Sequence, residues 1–493
     1  MTDPSPRPDV PAVAAAFLEH ARRDPGAPAL AWADREISYG ELAALAAGQR
    51  PLLDRLGPDE PVGVLAAKSP GALALVLACL LTGRRFLLPS PSLAAETLDT
   101  LFDQAGCRTI VREEDLLPPA GEVTWPAVDP DSIGFMLTTS GSTGLPKIVP
   151  LPHRAVDAFA AWAAGTFRIG PGRSVFSYAP LNFDLCLLDV WTTLAYGGRV
   201  VLADTARAAH GGYLADLLRR YPVDVIQGVP MLYNLLLDSG AIGFAGVSHV
   251  LVTGDVIGAD TLAALPWLFP GARLHNVYGC TETNDSLIAE LEPGRSGPAP
   301  LGVPLPGVDV LLLDSGGQPV DGPGTGELYV TTPFQSGGYL DAARSAGKFT
   351  GHPLGSDDRQ WFRSGDLVRR DSGGSLALIG RTDFQIKIRG TAINTAEVES
   401  VLRECDGVLD AAVLTSTDPV AGRQLAAVLT RVPGSAVNSL TVRLHCAAHL
   451  PKAAVPSTLR IVDVPLPRTS TGKLDRSAAE ELLTPEPIPG RTS

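Results

Sequence analysis

The feature that most constrains this chain is the alternation of two kinds of apolar segment before about residue 291. Short apolar runs of strand length lie at residues 62–66, 199–203, 223–226 and 249–252. Ala- and Leu-rich stretches with helical spacing lie at residues 13–22, 40–47, 72–81 and 212–220. Strands that alternate with helices build folds with largely parallel sheets. The sequence therefore predicts an α/β protein.

The composition of the sequence changes in the last two fifths of the chain. After about residue 291 Gly and Pro become frequent, and short strands at 308–313, 326–330 and 376–380 indicate a β-rich subdomain. A smaller α+β unit begins near the charged segment at Asp383, which suits a hinge. We predict a large domain over residues 1–382, with two α/β subdomains and the β-rich one, and a small mobile domain over 383–493.

Composition excludes several classes of function. The 493 residues carry a formal net charge of −13, which argues against nucleic acid as a partner. The six cysteines form no CxxC pair, so neither a disulfide framework nor a zinc site is expected. The N-terminus resembles no signal peptide, and the most apolar run, at 72–81, is too short to cross a bilayer. We expect a soluble cytoplasmic protein with no membrane partner.

Lysine is scarce, which makes each one informative. Six of the 40 basic residues are lysines, and an ammonium serves other purposes than a guanidinium. Lys68 and Lys348 fall in no recognisable motif, and we expect both to be solvated.

The strongest motif is the run LTTSGSTGLPK at residues 137–147. Ser, Thr and Gly allow backbone N–H groups and hydroxyls to close around an anion, and Lys147 adds a mobile positive charge. The Walker pattern GxxxxGK[ST] is absent. The run therefore predicts a phosphate-binding loop of another type.

This loop resembles that of the adenylate-forming superfamily, which includes acyl-CoA synthetases, luciferases and the adenylation domains of nonribosomal peptide synthesis. Other segments resemble further motifs of the superfamily in the same order, so the resemblance extends from about Ser38 to Arg476. They are SYGEL (38–42), GRRFLLP (83–89), NVYGCTET (276–283), GELYV (326–330), GYL (338–340), FRSGDL (362–367), GRTDFQIKIRG (380–390), LPKAAVP (450–456) and TGKLDR (471–476).

The resemblance implies an AMP-forming ligase that uses ATP and Mg²⁺. In such enzymes a carboxylate attacks the α-phosphate of ATP and pyrophosphate leaves. By this resemblance Thr281 and the mobile Lys473 would act on the α-phosphate, and Glu282 would hold Mg²⁺. Nucleotide binding would fall to Thr139, Ser140, Gly141, Ser142, Thr143, Gly144, Lys147, Asn276, Tyr278, Asp366 and Arg381. The alternative for Arg381 and Asp383 is an ion pair at the domain junction.

The second half-reaction follows from the same resemblance. The small domain would rotate about Asp383, and the segment from Lys387 to Gly390 would then replace Lys473 at the site. A thiol attacks the acyl-adenylate there. No carrier domain follows Arg476, so the expected acceptor is the phosphopantetheine arm of a separate carrier protein, or CoA.

The segment NFDLCLLD at 182–189 indicates which kind of carboxylic acid is the substrate. It resembles the corresponding segment of amino-acid-activating members and of D-alanine–carrier-protein ligases, in which an Asp binds the substrate ammonium. Here that residue is Asp184, with Phe183 as the gate; alternatively Asp184 caps the following helix. The remaining lining would be Leu185, Leu188, Gln227, Leu251, Thr253, Val277, Asp285 and Ser286.

Mostly apolar walls suit a small or medium nonpolar side chain, and Asp285 is the exception. It is expected to hold a second polar group or a displaced amino group, or else to face solvent, so α- and β-amino acids both remain open. The leading hypothesis is a stand-alone amino-acid adenylating enzyme of natural-product biosynthesis that loads a carrier protein. A CoA ligase for a fatty or aryl acid is the rival, and a degenerate nucleotide-binding homologue is the non-enzyme alternative.

Overall fold

The computed structural model describes residues 12–57, 59–139, 145–294, 299–382, 385–388, 391–418, 422–450, 454–469 and 474–483. The chain divides into two compact units. One comprises Met1–Leu311 and Tyr329–Arg363, and the other comprises Leu312–Leu328 and Ser364–Ser493. Each unit is described by itself below.

The helices of the described residues are α1 (Val13–Arg23), α2 (Tyr39–Leu53), α3 (Pro70–Leu81), α4 (Ala95–Ala105), α5 (His153–Phe167), α6 (Thr193–Ala195), α7 (Gly211–Arg220), α8 (Pro230–Asp238), α9 (Ala259–Leu268), α10 (Ala342–Ser345), α11 (Thr395–Arg403), α12 (Ser439–His449) and α13 (Arg476–Glu481). The strands are β1 (Pro28–Trp32), β2 (Arg35–Ser38), β3 (Val62–Leu65), β4 (Phe86–Leu88), β5 (Thr109–Arg112), β6 (Ile133–Thr139), β7 (Lys147–Pro152), β8 (Ser174–Ser177), β9 (Arg199–Leu202), β10 (Val225–Gly228), β11 (His249–Thr253), β12 (Arg273–Cys280), β13 (Asn284–Glu290), β14 (Val303–Pro304), β15 (Asp309–Leu313), β16 (Gly324–Thr331), β17 (Phe349–Thr350), β18 (Trp361–Arg370), β19 (Leu376–Arg381), β20 (Gln385–Ile388), β21 (Thr391–Asn394), β22 (Val408–Asp418), β23 (Gly422–Arg431) and β24 (Thr458–Val462).

A nine-stranded sheet forms the centre of the first unit. Its order is β14-β13-β12-β11-β10-β8-β9-β1-β2. The strands from β12 to β1 in this order are parallel, whereas β13 and β14 at one edge and β2 at the other are antiparallel. Helices α7, α8 and α9 cover this sheet with apolar side chains such as Leu214, Leu236 and Leu265. The predicted alternation of strands and helices is therefore the observed architecture.

A second sheet in this unit has the order β5-β3-β4-β6-β7. All its neighbours are parallel except β6 and β7, which form an antiparallel pair. Helix α3 is buried from Ala72 to Leu81, because nearly every residue of this stretch is apolar. A further five-stranded sheet has the order β15-β16-β18-β17, with β19 paired to β18.

In the second unit β22, β23 and β24 form a three-stranded sheet with apolar side chains on both faces. Successive strand residues point to opposite faces. Val413 accordingly packs in one cluster with α11 and α12, and its neighbours Ala412 and Leu414 pack in another with Ala479 of α13. The strands and helices of this unit agree with the α+β character predicted for the end of the chain, although the unit also includes residues 312–328 and 364–382, which the prediction placed in the large domain. Among the described residues, none of the helices combines the length and the apolar character that a membrane span requires.

Candidate active site

The residues predicted to line the acid pocket lie where the parallel strands of the nine-stranded sheet end. Carboxyl ends of parallel strands meet at the same edge, where open α/β sheets bind ligands. Gln227 pairs with Leu251 across β10 and β11, and Thr253 pairs with Val277 across β11 and β12. These four side chains share one face, since they stand at alternate positions of register-matched strands. All four are buried, and the Gln227 side-chain oxygen has no hydrogen-bond partner.

The antiparallel strand β13 adds the last two predicted lining residues to this edge. Asp285 and Ser286 are both buried, and Asp285 lies opposite Gly279 of β12. A Cβ at Gly279 would stand 2.3 Å from the Asn284 carbonyl oxygen, so only glycine permits this close approach of the two strands. The tight pairing follows from the sequence YGCTET and brings Asp285 next to the ends of the parallel strands.

Two carboxylates of the predicted pocket influence each other. Burial is the main cause that raises the pKa of Asp285 to about 8, and the negative charge of Asp184 raises it further. The Oδ2 atom of Asp285 is buried and has no hydrogen-bond partner. Such a pair is costly unless a cation or hydrogen-bond donor is placed between or beside the two groups.

The chain that carries Asp184 is a series of turns between β8 and a short π-helix at Leu187–Thr192. The Phe183 N–H donates to the Pro180 carbonyl at 3.1 Å, and the Leu187 N–H donates to the Asp184 carbonyl at 2.8 Å. Leu188 is fully buried in this π-helix, while Phe183, Asp184 and Leu185 remain partly exposed. Single π-helical turns are frequent at functional sites.

Lys68 corrects one expectation, because it is not solvated: only 3% of it is exposed. It lies between β3 and α3, and its Nζ donates to the carbonyl oxygens of Ser177, Tyr178 and Ala179 at 2.8, 3.1 and 2.9 Å. Sequence reasoning missed this residue because its partners lie more than 100 positions away; only the scarcity of lysine drew attention to it.

Two antiparallel strands, β6 and β7, flank the predicted phosphate-binding loop. Thr139 at the end of β6 pairs with Lys147 at the start of β7, and the buried Thr139 hydroxyl has no hydrogen-bond partner among the residues that the structure describes. Residues Ser140, Gly141, Ser142, Thr143 and Gly144 lie outside the described residues. The Lys147 Nζ stands 4.7 Å from the centre of the Tyr339 ring and 3.5 Å from its hydroxyl oxygen.

Tyr339 connects this lysine to the predicted metal ligand. Its hydroxyl donates to Oε1 of the buried Glu282 at 2.6 Å. The Ser336 N–H donates to the Glu282 carbonyl at 2.9 Å, and the Leu340 N–H donates to the Ile148 carbonyl at 3.0 Å. Tyr339 lies in the GYL motif, yet sequence reasoning gave it no role. Its contacts place it between the phosphate loop and the YGCTET segment.

Other predicted nucleotide ligands of the first unit lie on β12 or directly after it, shortly before Glu282 in the chain. Tyr278 and Thr281 are partly exposed, so both are accessible to a ligand. Asn276 is buried, and its amide donates to the Pro300 carbonyl at 2.7 Å. A buried carboxylate beside the predicted phosphate ligand Lys147 and Tyr339 suits Mg²⁺, which is held by one or two carboxylates together with substrate phosphates. Glu282 therefore fits the implied metal.

The predicted ribose ligands lie in the second unit. Asp366 of β18 and Arg381 of β19 stand opposite each other, and Arg381 Nη1 is 2.6 Å from Asp366 Oδ1. Arg381 also donates to the Ser364 carbonyl at 3.2 Å. The guanidinium thus pairs with Asp366, whose carboxylate is the group expected to accept ribose hydroxyls. Asp383, Gly390 and Lys473 lie outside the described residues, and of Lys387 only the backbone, in β20, is described.

The sequence matches the family described as AMP-binding enzyme over residues 17–123 and 112–340, and its C-terminal domain over residues 397–473. The L-proline–[L-prolyl-carrier protein] ligase of Streptomyces coelicolor is 32% identical, over 94% of this chain and 89% of that protein. The dimodular nonribosomal peptide synthase of Bacillus subtilis is 30% identical over 94% of this chain, which spans only 20% of that protein.

Solved structures share the fold. A four-domain nonribosomal peptide synthetase bound to AMP and glycine is 26% identical, with a TM-score of 0.81, over 98% of this chain and 37% of that one. The O-succinylbenzoate coenzyme A synthetase of Bacillus subtilis, in complex with AMP, is 21% identical, with a TM-score of 0.81, over 94% of this chain and 97% of that one.

Proposed function

This chain is a member of the AMP-binding enzyme family and an AMP-forming ligase, and we propose that it activates an α- or β-amino acid with ATP. The product of the first half-reaction is an aminoacyl-AMP, with release of pyrophosphate. In the second half-reaction the aminoacyl group passes to the phosphopantetheine thiol of a carrier protein.

In the first half-reaction a carboxylate oxygen of the amino acid attacks the α-phosphorus and the bond to pyrophosphate breaks. Lys147 and the Ser140–Thr143 hydroxyls neutralise the β- and γ-phosphates, and Thr281 and Lys473 act on the α-phosphate. Asp366 accepts the ribose hydroxyls, and Tyr278 stacks on the adenine. Glu282, held by the Tyr339 hydroxyl, is the residue that would bind Mg²⁺, which when bound would neutralise charge on the phosphate oxygens.

In the second half-reaction a thiol sulfur attacks the acyl carbon, and AMP leaves as the bond from the acyl carbon to the phosphate oxygen breaks. A small domain that rotates about Asp383 would withdraw Lys473 and present Lys387 and Gly390. The similarity to an L-prolyl-carrier protein ligase, along 89% of its length, supports a carrier protein over CoA as the acceptor.

One observation carries the amino-acid assignment. Asp285 is buried, and the charge of Asp184 adds to the effect of burial in raising its pKa, so the two carboxyl groups interact. A pocket for a fatty or aryl acid gains nothing from the charge of Asp184, which would repel the substrate carboxylate. A substrate ammonium, in contrast, would compensate the charge of Asp184.

The test is pyrophosphate exchange with a panel of α-, β- and D-amino acids, fatty acids and aryl acids, in the unsubstituted protein and in Asp184→Ala. We expect Asp184→Ala to lower kcat/KM for the best amino acid at least about a hundredfold, since a charged hydrogen-bond partner is lost. The analogue of that amino acid without its amino group should react equally well with both proteins.

A matched variant controls for shape. Asp184→Asn keeps the size of the side chain and removes its charge, so it should behave like Asp184→Ala. If either variant retains the full activity on the best amino acid, the amino-acid assignment is wrong. A CoA ligase is the rival function, because structures of that class share the fold. It would be favoured if a simple carboxylic acid were the best substrate and CoA the better acceptor.

A further inference from the structure

Lys68 links the two sheets of the first unit. It follows β3 of the five-stranded sheet, while Ser177, the first of the residues that it holds, ends β8 of the nine-stranded sheet. Burial is the main cause that lowers the pKa of Lys68. A buried ammonium is retained only where its hydrogen bonds and countercharge compensate for the lost water.

The three acceptors of Lys68 are consecutive. The carbonyl oxygens of Ser177, Tyr178 and Ala179 lie 2.8 to 3.1 Å from the same nitrogen, so the backbone must curve around it. Tyr178 and Ala179 lie beyond the end of β8, where the sheet no longer provides partners for buried carbonyl groups. An ammonium carries three hydrogens, one for each of these carbonyl groups, and the Ser177 hydroxyl oxygen lies 3.4 Å from the same nitrogen.

The segment that leaves this point carries the predicted recognition residues. Pro180 follows directly, its carbonyl accepts the Phe183 N–H at 3.1 Å, and Asp184 is the next residue. The Cys186 thiol donates to the same Pro180 carbonyl at 3.1 Å. The direction in which the chain leaves Ala179 therefore determines where Asp184 stands.

A carboxylate lies at the other end of this segment. Asp189 of the π-helix is fully buried, and the Ser177 side chain is a hydrogen-bond donor to it. Burial raises its pKa to about 7, and the positive charge of Lys68 acts in the opposite direction. Lys68 and Asp189 thus act on each other as opposite charges, and the turn that holds Phe183 and Asp184 lies in the chain between Ala179, which Lys68 binds, and Asp189.

We propose that Lys68 is a positioning residue for substrate selection: by holding the three carbonyl groups after β8 it fixes where Asp184 meets the substrate amino group. This inference rests on the proposed amino-acid function. In this proposal Lys68 itself touches neither the substrate nor the nucleotide. Recognition of the amino group, but not binding of ATP, then depends on the contact between the two sheets.

The experiment compares Lys68→Met and Lys68→Arg with the unsubstituted protein and with Lys348→Met, in which a partly exposed lysine of the same unit is lost. Pyrophosphate exchange gives KM and kcat for the best amino acid and for its analogue without the amino group. Calorimetry gives the Kd of ATP, and thermal unfolding gives the Tm.

We expect Lys68→Met to raise KM for the amino acid at least about tenfold, because small misplacements of a binding group are costly. The KM of the analogue, the Kd of ATP and the properties of Lys348→Met should stay within about twofold of the unsubstituted protein. Lys68→Arg keeps the charge but cannot direct three N–H groups from one atom, so it should lose selectivity too.

Lys68→Met leaves Asp189 without its countercharge and could prevent folding. The double variant Lys68→Met with Asp189→Asn removes both charges, and the same rise in KM for the amino acid is expected of it. The proposal is overturned if the amino acid and its analogue are affected equally, or if neither is affected. Asp184→Ala is measured in parallel: if it retains amino-acid selectivity, the proposed function itself fails, whatever the Lys68 variants do.

Discussion

At the scale of single residues, the hydroxyl of Tyr339 is the contact that most directly joins two motifs of the site. It donates to Glu282, and its ring lies against the Lys147 ammonium. The neighbouring backbone is fixed as well, since the Ser336 hydroxyl donates to the Pro150 carbonyl at 2.7 Å. The orientation of Glu282 thus depends on a residue 57 positions away.

Tyr339→Phe tests this dependence, because it removes the hydroxyl and keeps the ring beside Lys147. We expect the KM for ATP to rise about tenfold, the usual consequence of losing a hydrogen bond to a charged group, and KM for the amino acid to stay unchanged. Calorimetric ATP binding over a series of Mg²⁺ concentrations should show a higher Mg²⁺ requirement.

Tyr196→Phe, a partly buried tyrosine of the same unit, is the matched control and should behave like the unsubstituted protein. A Tyr339→Phe protein with the same KM for ATP and the same Mg²⁺ requirement would contradict the role of the hydroxyl.

At the scale of elements, the segment SYGEL illustrates a motif whose role is structural. Ser38 caps α2 by accepting the Glu41 N–H at 3.1 Å, and the Glu41 carboxylate accepts the Ser38 N–H at 2.7 Å. The buried Tyr39 donates to the Gly198 carbonyl at 2.8 Å. A Cβ at Gly40 would stand 2.9 Å from the Pro25 carbonyl oxygen. Ser38 and Glu41 therefore stabilise the start of α2, and Tyr39 and Gly40 hold it against Gly198 and Pro25.

Ser38→Ala should lower the free energy of unfolding by about 1 kcal/mol, the usual cost of losing an N-cap. Urea unfolding measures it, and pyrophosphate exchange should be unchanged in the folded variant. Ser38→Thr keeps the capping hydroxyl and should stay within a few tenths of a kcal/mol of the unsubstituted protein. A loss of exchange activity without a loss of stability would assign the motif a catalytic role instead.

Helices and strands could be predicted from the sequence where the pattern of apolar residues that indicates them lies within the element itself. The periodicity that predicts α3 and β11 depends on neighbouring residues, and the structure places these elements within one or two positions of the expected bounds. The contacts of Lys68 and Tyr339 were not predictable in this way, because each joins segments far apart in the chain. The motifs showed which residues matter, and the tertiary pairing shows which atoms they hold.

At the scale of the whole molecule, the buried carboxyl groups of the pocket are a source of instability. Asp285 holds its proton in the folded protein up to about pH 8, because burial and Asp184 raise its pKa from the ordinary value of 3.8. In the unfolded chain the same group ionises above 3.8. Its contribution to stability is fully present below pH 3.8 and is lost as the pH rises toward 8.

Asp285→Asn removes this titration. We expect the variant to be more stable than the unsubstituted protein by at least about 1 kcal/mol at pH 8, with a difference that shrinks to nearly zero at about pH 4. Chemical unfolding across this pH range measures the difference. Asp358→Asn, an exposed carboxylate of the same unit, should give a difference that does not change with pH in this way. A constant difference for Asp285→Asn would contradict the raised pKa.

The arrangement of the pocket has a consequence for how such an enzyme can diversify. Its predicted lining comes from adjacent strands of one sheet and from the turn after β8, and all of it falls between Phe183 and Ser286. Lys147 and Tyr339 lie outside that stretch, one on each side. A single genetic exchange of residues 183–286 would therefore transfer the complete set of predicted lining residues from one enzyme to another. Lys147 and Tyr339, which lie outside the exchanged segment, would remain unchanged.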